Sequence, residues 1–228
     1  MIRFNLQFFG GRGSGSYSAN AQFTSGGGGR NNARAIDLNV AGWTPEAGSR
    51  KVNINTTLNS VETRIQNNDH EQLIIIDRDG YVAAVVDGGG SSVGYTDKAL
   101  AATRAGGIEI HNHPNTGTMF SGTDIISNGT INAREMRVVT SKGTTYSIKA
   151  GNRANAKGFA DDMRKNEKRI IKQINEKLNN TVNKRKYANK DTYMAQVDRV
   201  YNEIMGAWIS EKSKKYGYTF TSHKTGKN

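Results

Sequence analysis

Two apolar, β-branched runs separated by a short polar turn form the clearest pattern in the chain. Residues 73–76 and 81–86 flank the turn Asp77-Arg78-Asp79-Gly80. Runs of this composition around an Asp-Gly turn predict a β-hairpin. Because neither run alternates with polar residues, we expect strands that are covered on both faces of a sheet.

The flanking patterns predict further helices and strands. A short helix capped by Ser60 is expected before the hairpin. After it we expect a helix over 96–105 ended by two glycines, a strand over 108–113 stopped by Pro114, a helix from Ser121 or Thr123 to about residue 133, and a second hairpin of residues 136–140 and 145–148. The order β-β-α-β-α-β-β predicts an α/β (α+β) domain over residues 58–150.

The composition of residues 1–57 predicts a flexible leader. This segment mixes Gly, Ser and Asn, including the run 26–29 of four glycines, and cannot bury enough apolar surface to offset its ordering entropy. Its one apolar patch, residues 4–9, is either a stray apolar end or a short docking peptide. The patch is too short and too interrupted for a secretory signal.

Residues 151–228 predict a basic helical region. Apolar residues recur there near helical spacing in two sets, which indicates two amphipathic helices forming a hairpin. The region carries 18 basic and 8 acidic residues, whereas residues 58–150 carry 8 and 10, in a chain with net charge +12. This asymmetry suggests that the C-terminal region contacts an anionic partner.

Two interpretations of the basic residues stay open. They could hold nucleic-acid phosphates while neighbouring tyrosines stack on bases, or they could form a solvated helical face. The candidate residues are Lys184, Arg185, Lys186, Lys212, Lys214 and Lys215, with Tyr187, Tyr216 and Tyr218 nearby. No groove-reading motif is present, so any DNA binding is expected to be nonspecific.

Several residue types and motifs are absent from the sequence, and their absence limits the kinds of site that the protein can have. The chain has no cysteine, so disulfides are excluded and a zinc site must use His, Asp or Glu. No apolar stretch approaches the ~18 residues of a transmembrane helix, so we expect a cytoplasmic protein without membrane contact. Motifs for nucleotide hydrolysis and for serine nucleophiles are missing.

A histidine pair and an acidic residue form a candidate metal site. His111 and His113, two of only four histidines, are two residues apart in the predicted strand and therefore point the same way. Ser121 and Asp124 follow at a helix start, on one helix face. Two imidazoles and one carboxylate can provide three ligands of a tetrahedral Zn²⁺, with water in the fourth position. The metal lowers the pKa of that water towards neutrality.

The spacing H-x-H-x7-S-x-x-D resembles the signature of JAB/MPN (JAMM) metallopeptidases. The run Ile110-His111-Asn112-His113-Pro114 and its flanks resemble the RadC-like branch of that superfamily. The resemblance covers roughly residues 58–150. It implies zinc ligation by His111, His113 and Asp124, and a hydrogen bond from Ser121 near the water or the developing oxyanion.

The same family uses a glutamate at the start of the first strand as general base. Glu71 stands immediately before the first apolar run, so the resemblance implies that Glu71 accepts the proton of the water. Glu62, one helix earlier, is a rival for this role. Glu109 lies on the strand face of His111, one pleat back, and could orient a ligand.

Residues 4–13 resemble the N-termini of tailed-phage and prophage proteins encoded among head genes, and JAB-like domains of this pattern resemble parts of phage head-morphogenesis proteins. The resemblance implies a phage or prophage origin, the cytoplasm of a bacterial host or a virion as location, and contact of the N-terminal segment with head components. Two functions stay open. One is a zinc-dependent peptidase or isopeptidase acting on a protein or peptide. The other is a non-catalytic minor head protein that binds DNA nonspecifically.

Overall fold

The computed structural model describes residues 33–38, 43, 53–90, 92–181 and 187–227. Seven strands and five helices of these residues form a mixed α/β fold. In chain order they are β1 (Arg34–Ala35), α1 (Ile54–Ile65), β2 (Gln72–Ile76), β3 (Val82–Asp87), α2 (Asp97–Arg104), β4 (Ile108–His113), α3 (Gly122–Ile131), β5 (Glu135–Thr140), β6 (Thr144–Ala150), α4 (Ala156–Thr181), α5 (Lys190–Lys215) and β7 (Tyr218–Lys224). The predicted order of elements from the first hairpin to the second is confirmed.

The strands lie in one sheet, in the order β1-β3-β2-β4-β5-β6-β7. Only β4 and β5 pair in parallel, and α3 provides the crossover that parallel neighbours require. The expectation of two covered faces holds for the central strand β2, all five residues of which are buried. The second half of the hairpin, β3, is buried only at its centre.

Successive residues of the central strands β2 and β4 belong to hydrophobic clusters on opposite faces of the sheet. Ile74 and Ile110 pack with α1 on one face of the sheet, whereas Leu73 and Ile75 pack with α2 on the other. Side chains that alternate along a strand point to opposite faces. His111 follows Ile110 in β4 and therefore points away from α1, towards the face that carries α2 and α3.

The first helix begins seven residues earlier than predicted. Asn53, not Ser60, is its N-cap, and the Asn53 side chain accepts a hydrogen bond from Asn55 N at 3.0 Å. The expected cap at Ser60 is therefore wrong, since Ser60 lies inside α1. The first turns are rich in Asn and Thr and have few apolar residues, so periodicity could not reveal them.

Part of the expected leader is ordered against the sheet. Arg34 and Ala35 pair with Asp87 and Val86 of β3. Trp43 is buried, with the Arg64 guanidinium 3.9 Å from its ring centroid. These few described residues of the leader contact β3 and α1, although the segment has no periodicity of its own that would predict such contacts. Residues 4–9 lie outside the described residues.

The C-terminal helical hairpin is confirmed, but it is built into the core of the fold. Met136 and Val138 of β5 share one buried cluster with Phe159 of α4 and Trp208 of α5, whose rings stack with centroids 5.6 Å apart. The strand β7, which the sequence analysis missed, extends the sheet beside β6. Within the described ranges, no helix is long and apolar enough to cross a membrane.

Candidate metal centre

The two histidines lie in a central strand of the sheet. His111 is opposite Leu73 of β2 and beside Val138 of β5, and His113 is beside Thr140. Both side chains are buried, and their ring centroids are 5.2 Å apart. Pairing with β5 holds the backbone of both residues, and pairing with β2 holds His111 on its other side as well. The interval of two residues therefore becomes a fixed separation between two potential ligands.

The first turn of α3 carries the third potential ligand, the carboxylate of Asp124. Ser121 is the N-cap, and its side chain accepts a hydrogen bond from Asp124 N at 3.2 Å. In return, Ser121 N donates to Asp124 Oδ2 at 2.6 Å. This reciprocal capping box satisfies two backbone donors at the helix start and fixes the Asp124 side chain.

The three side chains converge on one point. His111 Nε2 lies 3.7 Å from Asp124 Oδ1, and His113 Nε2 lies 3.7 Å from Asp124 Oδ2. The potential ligand atoms of the three residues all lie within 4.8 Å of one another. A tetrahedral zinc with bonds of about 2.0–2.2 Å separates its ligands by roughly 3.3–3.6 Å. The cluster therefore has the dimensions and the donor types of a metal site.

An unsatisfied nitrogen points to the same conclusion. His111 Nε2 is buried without a hydrogen-bond partner in the described part of the chain. Burying a polar atom without a partner is costly, and a metal ion between the imidazole and Asp124 would satisfy it. His111 Nδ1, on the other side of the ring, lies 3.5 Å from Glu109 Oε1. Glu109 therefore lies in the position from which a carboxylate could orient the His111 imidazole if that imidazole bound a metal.

The electrostatics of the cluster favour positive charge. Burial opposes ionisation of Asp124, but His111 and His113 outweigh it and hold the pKa of that carboxyl well below its usual range. Burial likewise opposes a charge on His111, yet Asp124 and Glu109 raise the pKa of its imidazole well above the ordinary value. An anionic carboxylate beside two imidazoles can hold a cation such as a metal ion.

Glu71 lies beside this cluster, immediately before β2. Its side chain is buried, and burial raises the pKa of its carboxyl, while His113 and His111 act in the opposite direction. Backbone hydrogen bonds from Glu71 N to Gly89 O and from Gly88 N to Glu71 O, both 2.8 Å long, hold the residue in place. A carboxyl with a raised pKa near a metal site is suited to accept and return a proton.

Asn112, between the two histidines, is a site residue that the sequence analysis missed. Its Oδ1 accepts a hydrogen bond from Gln72 N at 2.8 Å, and its Nδ2 donates to His70 O at 3.0 Å. The fully buried amide thus bonds to the backbone on both sides of Glu71. A polar residue in the middle of a central strand is the signal that could have revealed it.

Glu62, the rival base, is not brought to the cluster. It lies on α1, which covers the other face of the sheet, and its carboxylate is completely buried. It accepts hydrogen bonds from Arg137 Nη1 at 2.7 Å, Thr145 Oγ1 at 3.2 Å, His223 Nε2 at 2.9 Å and Gly226 N at 3.1 Å. These four partners make Glu62 the centre of a separate polar network.

Two of the three basic candidates that the structure describes pair with an acidic side chain. Lys184, Arg185 and Lys186 lie outside the described residues. The Nζ atoms of Lys212 and Lys215 are 3.8 Å and 3.4 Å from Asp162 Oδ2, and Lys214 is exposed.

The two tyrosines beside these lysines belong to the protein's own core. The ring centroids of Tyr216 and Tyr218 lie 5.8 Å and 5.4 Å from that of Phe159. Tyr216 also donates a hydrogen bond to Asp162 at 2.9 Å. Both rings are therefore engaged in packing within the fold.

Comparison of the chain with protein-family models, with curated proteins and with solved structures returns no match. The metal cluster is therefore supported by the geometry and chemistry of this chain's own residues.

Proposed function

We propose that the protein is a zinc-dependent hydrolase of peptide or isopeptide bonds, similar in its site to JAB/MPN (JAMM) metallopeptidases of the RadC-like branch. The observation that carries the proposal is the convergence of His111, His113 and Asp124 within 4.8 Å. The buried Glu71 beside them adds a proton acceptor to the three ligands. Both features are needed for metal-assisted hydrolysis.

His111, His113 and Asp124 would hold the zinc, which when bound lowers the pKa of water and polarises the scissile carbonyl. Glu71 takes a proton from the attacking water as the new C–O bond forms. It then gives that proton to the leaving nitrogen as the C–N bond breaks, so the carboxylate is regenerated.

Ser121 has a free donor for this reaction. Its hydroxyl oxygen accepts the hydrogen bond from Asp124 N, which leaves the hydroxyl hydrogen to donate elsewhere. Pointed at the carbonyl oxygen, this donor would stabilise the negative charge that develops there.

The test separates the metal from the base. Zinc-loaded protein is incubated with a mixture of peptides and with lysine-linked isopeptides, and the products are identified by mass spectrometry. Wild-type protein should cleave at least one class, and Glu71→Gln should keep its zinc but lose cleavage. Glu176→Gln, on an exposed part of α4, is the matched control. Equal cleavage by wild type and Glu71→Gln would contradict the assignment of the base.

A second candidate function, nonspecific DNA binding, is favoured by the 18 basic and 8 acidic residues of 151–228. DNA binding would suit a non-catalytic phage head protein, the alternative function suggested by the resemblance of residues 4–13 to phage proteins. Duplex DNA is titrated with the full chain in increasing salt. Contact with six or more phosphates would lower the affinity about 10³-fold or more between 50 and 200 mM salt. Absence of binding at low salt would rule this function out.

A further inference from the structure

The loop between β4 and α3 connects the two histidines to Asp124, and it is almost entirely buried. Of residues 114–120, only Asn115 is exposed. A buried loop must satisfy its backbone donors and acceptors inside the protein. Three residues of the C-terminal helix α5, Asp198, Tyr201 and Asn202, provide partners for it.

Asp198 holds the first half of the loop. Its Oδ1 accepts a hydrogen bond from Thr116 Oγ1 and its Oδ2 accepts one from Gly117 N, both at 2.8 Å. The carboxylate is buried, and within the described residues no cation pairs with it. A buried carboxylate is costly unless hydrogen-bonded. A side chain at Gly117 would lie 3.0 Å from Asp198 Oδ2, so glycine permits this close approach.

Asn202 and Tyr201 hold the second half. Asn202 Nδ2 donates to Gly117 O at 2.8 Å, and its Oδ1 accepts from Met119 N at 2.9 Å. The Tyr201 hydroxyl donates to Phe120 O at 3.2 Å. Asp198, Tyr201 and Asn202 are spaced i, i+3 and i+4, so they share one face of α5.

Thr118, which lies between these contacts, forms a hydrogen bond with His113, one of the candidate metal ligands. Thr118 O lies 3.0 Å from His113 Nδ1, and Thr118 stands between Gly117 and Met119. A hydrogen bond from Nδ1–H to this carbonyl places the lone pair of the imidazole on Nε2, the atom that faces Asp124. The position of the Thr118 carbonyl therefore controls both the tautomer and the ring orientation of His113.

We propose that Asp198 and Asn202 are positioning residues of the metal centre, which hold the Thr118 carbonyl that orients His113. The inference rests on the proposed function, since it needs the cluster to bind zinc. It also assigns a role to the C-terminal hairpin: α5 completes the centre although it contributes no ligand.

The test measures zinc affinity of the full chain by competition with a chromophoric chelator. Asp198→Asn keeps the shape of the side chain but replaces one acceptor oxygen with a donor. Its zinc affinity should fall about 10- to 100-fold, the usual effect of losing a partner that orients a ligand. Asn202→Ala removes both bonds that flank Thr118 and should have a similar effect. Co²⁺-substituted protein should show an altered visible spectrum in both variants.

Val197→Ala is the matched control for stability. Val197 is buried in the main core on the same helix, so this change should lower the melting temperature and leave zinc affinity unchanged. Wild-type protein that binds no zinc would overturn the proposed function itself. Wild-type protein that binds zinc, with unchanged affinity in Asp198→Asn and Asn202→Ala, would overturn only the positioning role. If Asp198→Asn does not fold, Asn202→Ala decides the question.

Discussion

The substitution Glu62→Gln separates the stability of the fold from the chemistry of the metal centre. Glu62 is completely buried and accepts hydrogen bonds from Arg137, Thr145, His223 and Gly226. An amide keeps one acceptor oxygen but directs an NH₂ group at the other donors. Arg137 keeps its ion pair with Glu135, at 2.6 Å.

Breaking a buried ion pair by removing one charge costs about 3–5 kcal/mol. We expect a loss of that size in the free energy of unfolding, against a total of about 5–15 kcal/mol for a typical domain. With a urea dependence near 3 kcal/mol per molar, the unfolding midpoint should fall by roughly 1–2 M.

Urea unfolding, followed by circular dichroism, provides the measurement. The control Glu176→Gln makes the same chemical change at an exposed position and should shift the unfolding free energy by less than about 0.5 kcal/mol. At urea concentrations too low to unfold it, Glu62→Gln should still bind zinc and cleave the peptide substrate. An unchanged midpoint would contradict the buried network. A folded variant that binds zinc but has lost cleavage would return Glu62 to the position of general base.

Two further perturbations address the extent of the fold and the placement of Glu71. A chain that ends at Ala150 should show no cooperative unfolding transition, because it lacks β7 and the stacked rings of Phe159 and Trp208; a sigmoidal urea curve would show that the truncated domain folds alone. Asn112→Ala should lower cleavage more than zinc binding, because it removes both hydrogen bonds that flank Glu71; parallel losses in the two measurements would indicate a general structural role instead.

Local patterns in the sequence were sufficient for much of the central fold. The apolar run ending at Ile76 and the Asp-Gly turn specify the first hairpin, because strand burial and turn geometry are both encoded within a few residues. The two-residue interval from His111 to His113 and the capping position of Ser121 depend on the same short-range rules. Together with the family resemblance, this spacing was sufficient to predict that His111, His113 and Asp124 lie together as a group that could hold a metal ion.

Long-range partners could not be predicted in this way. Asp198 is 82 residues from Thr116 along the chain, and no periodicity in α5 indicates which of its polar residues turns inward to a loop. The strand β7 is mostly polar, so its pairing with β6 depends on the sheet already being present. The sequence also could not show that Glu71 lies beside His111 and His113 whereas Glu62 lies on the other face of the sheet.

Zinc content is the most direct test of the central claim. Full-length protein, purified without added metal and analysed by inductively coupled plasma mass spectrometry, should carry about one zinc per chain. His113→Ala should lose the ion, because it removes one of three protein ligands, whereas Glu71→Gln should retain it. Wild-type protein that contains no zinc and takes up none on titration would contradict the metal centre formed by His111, His113 and Asp124.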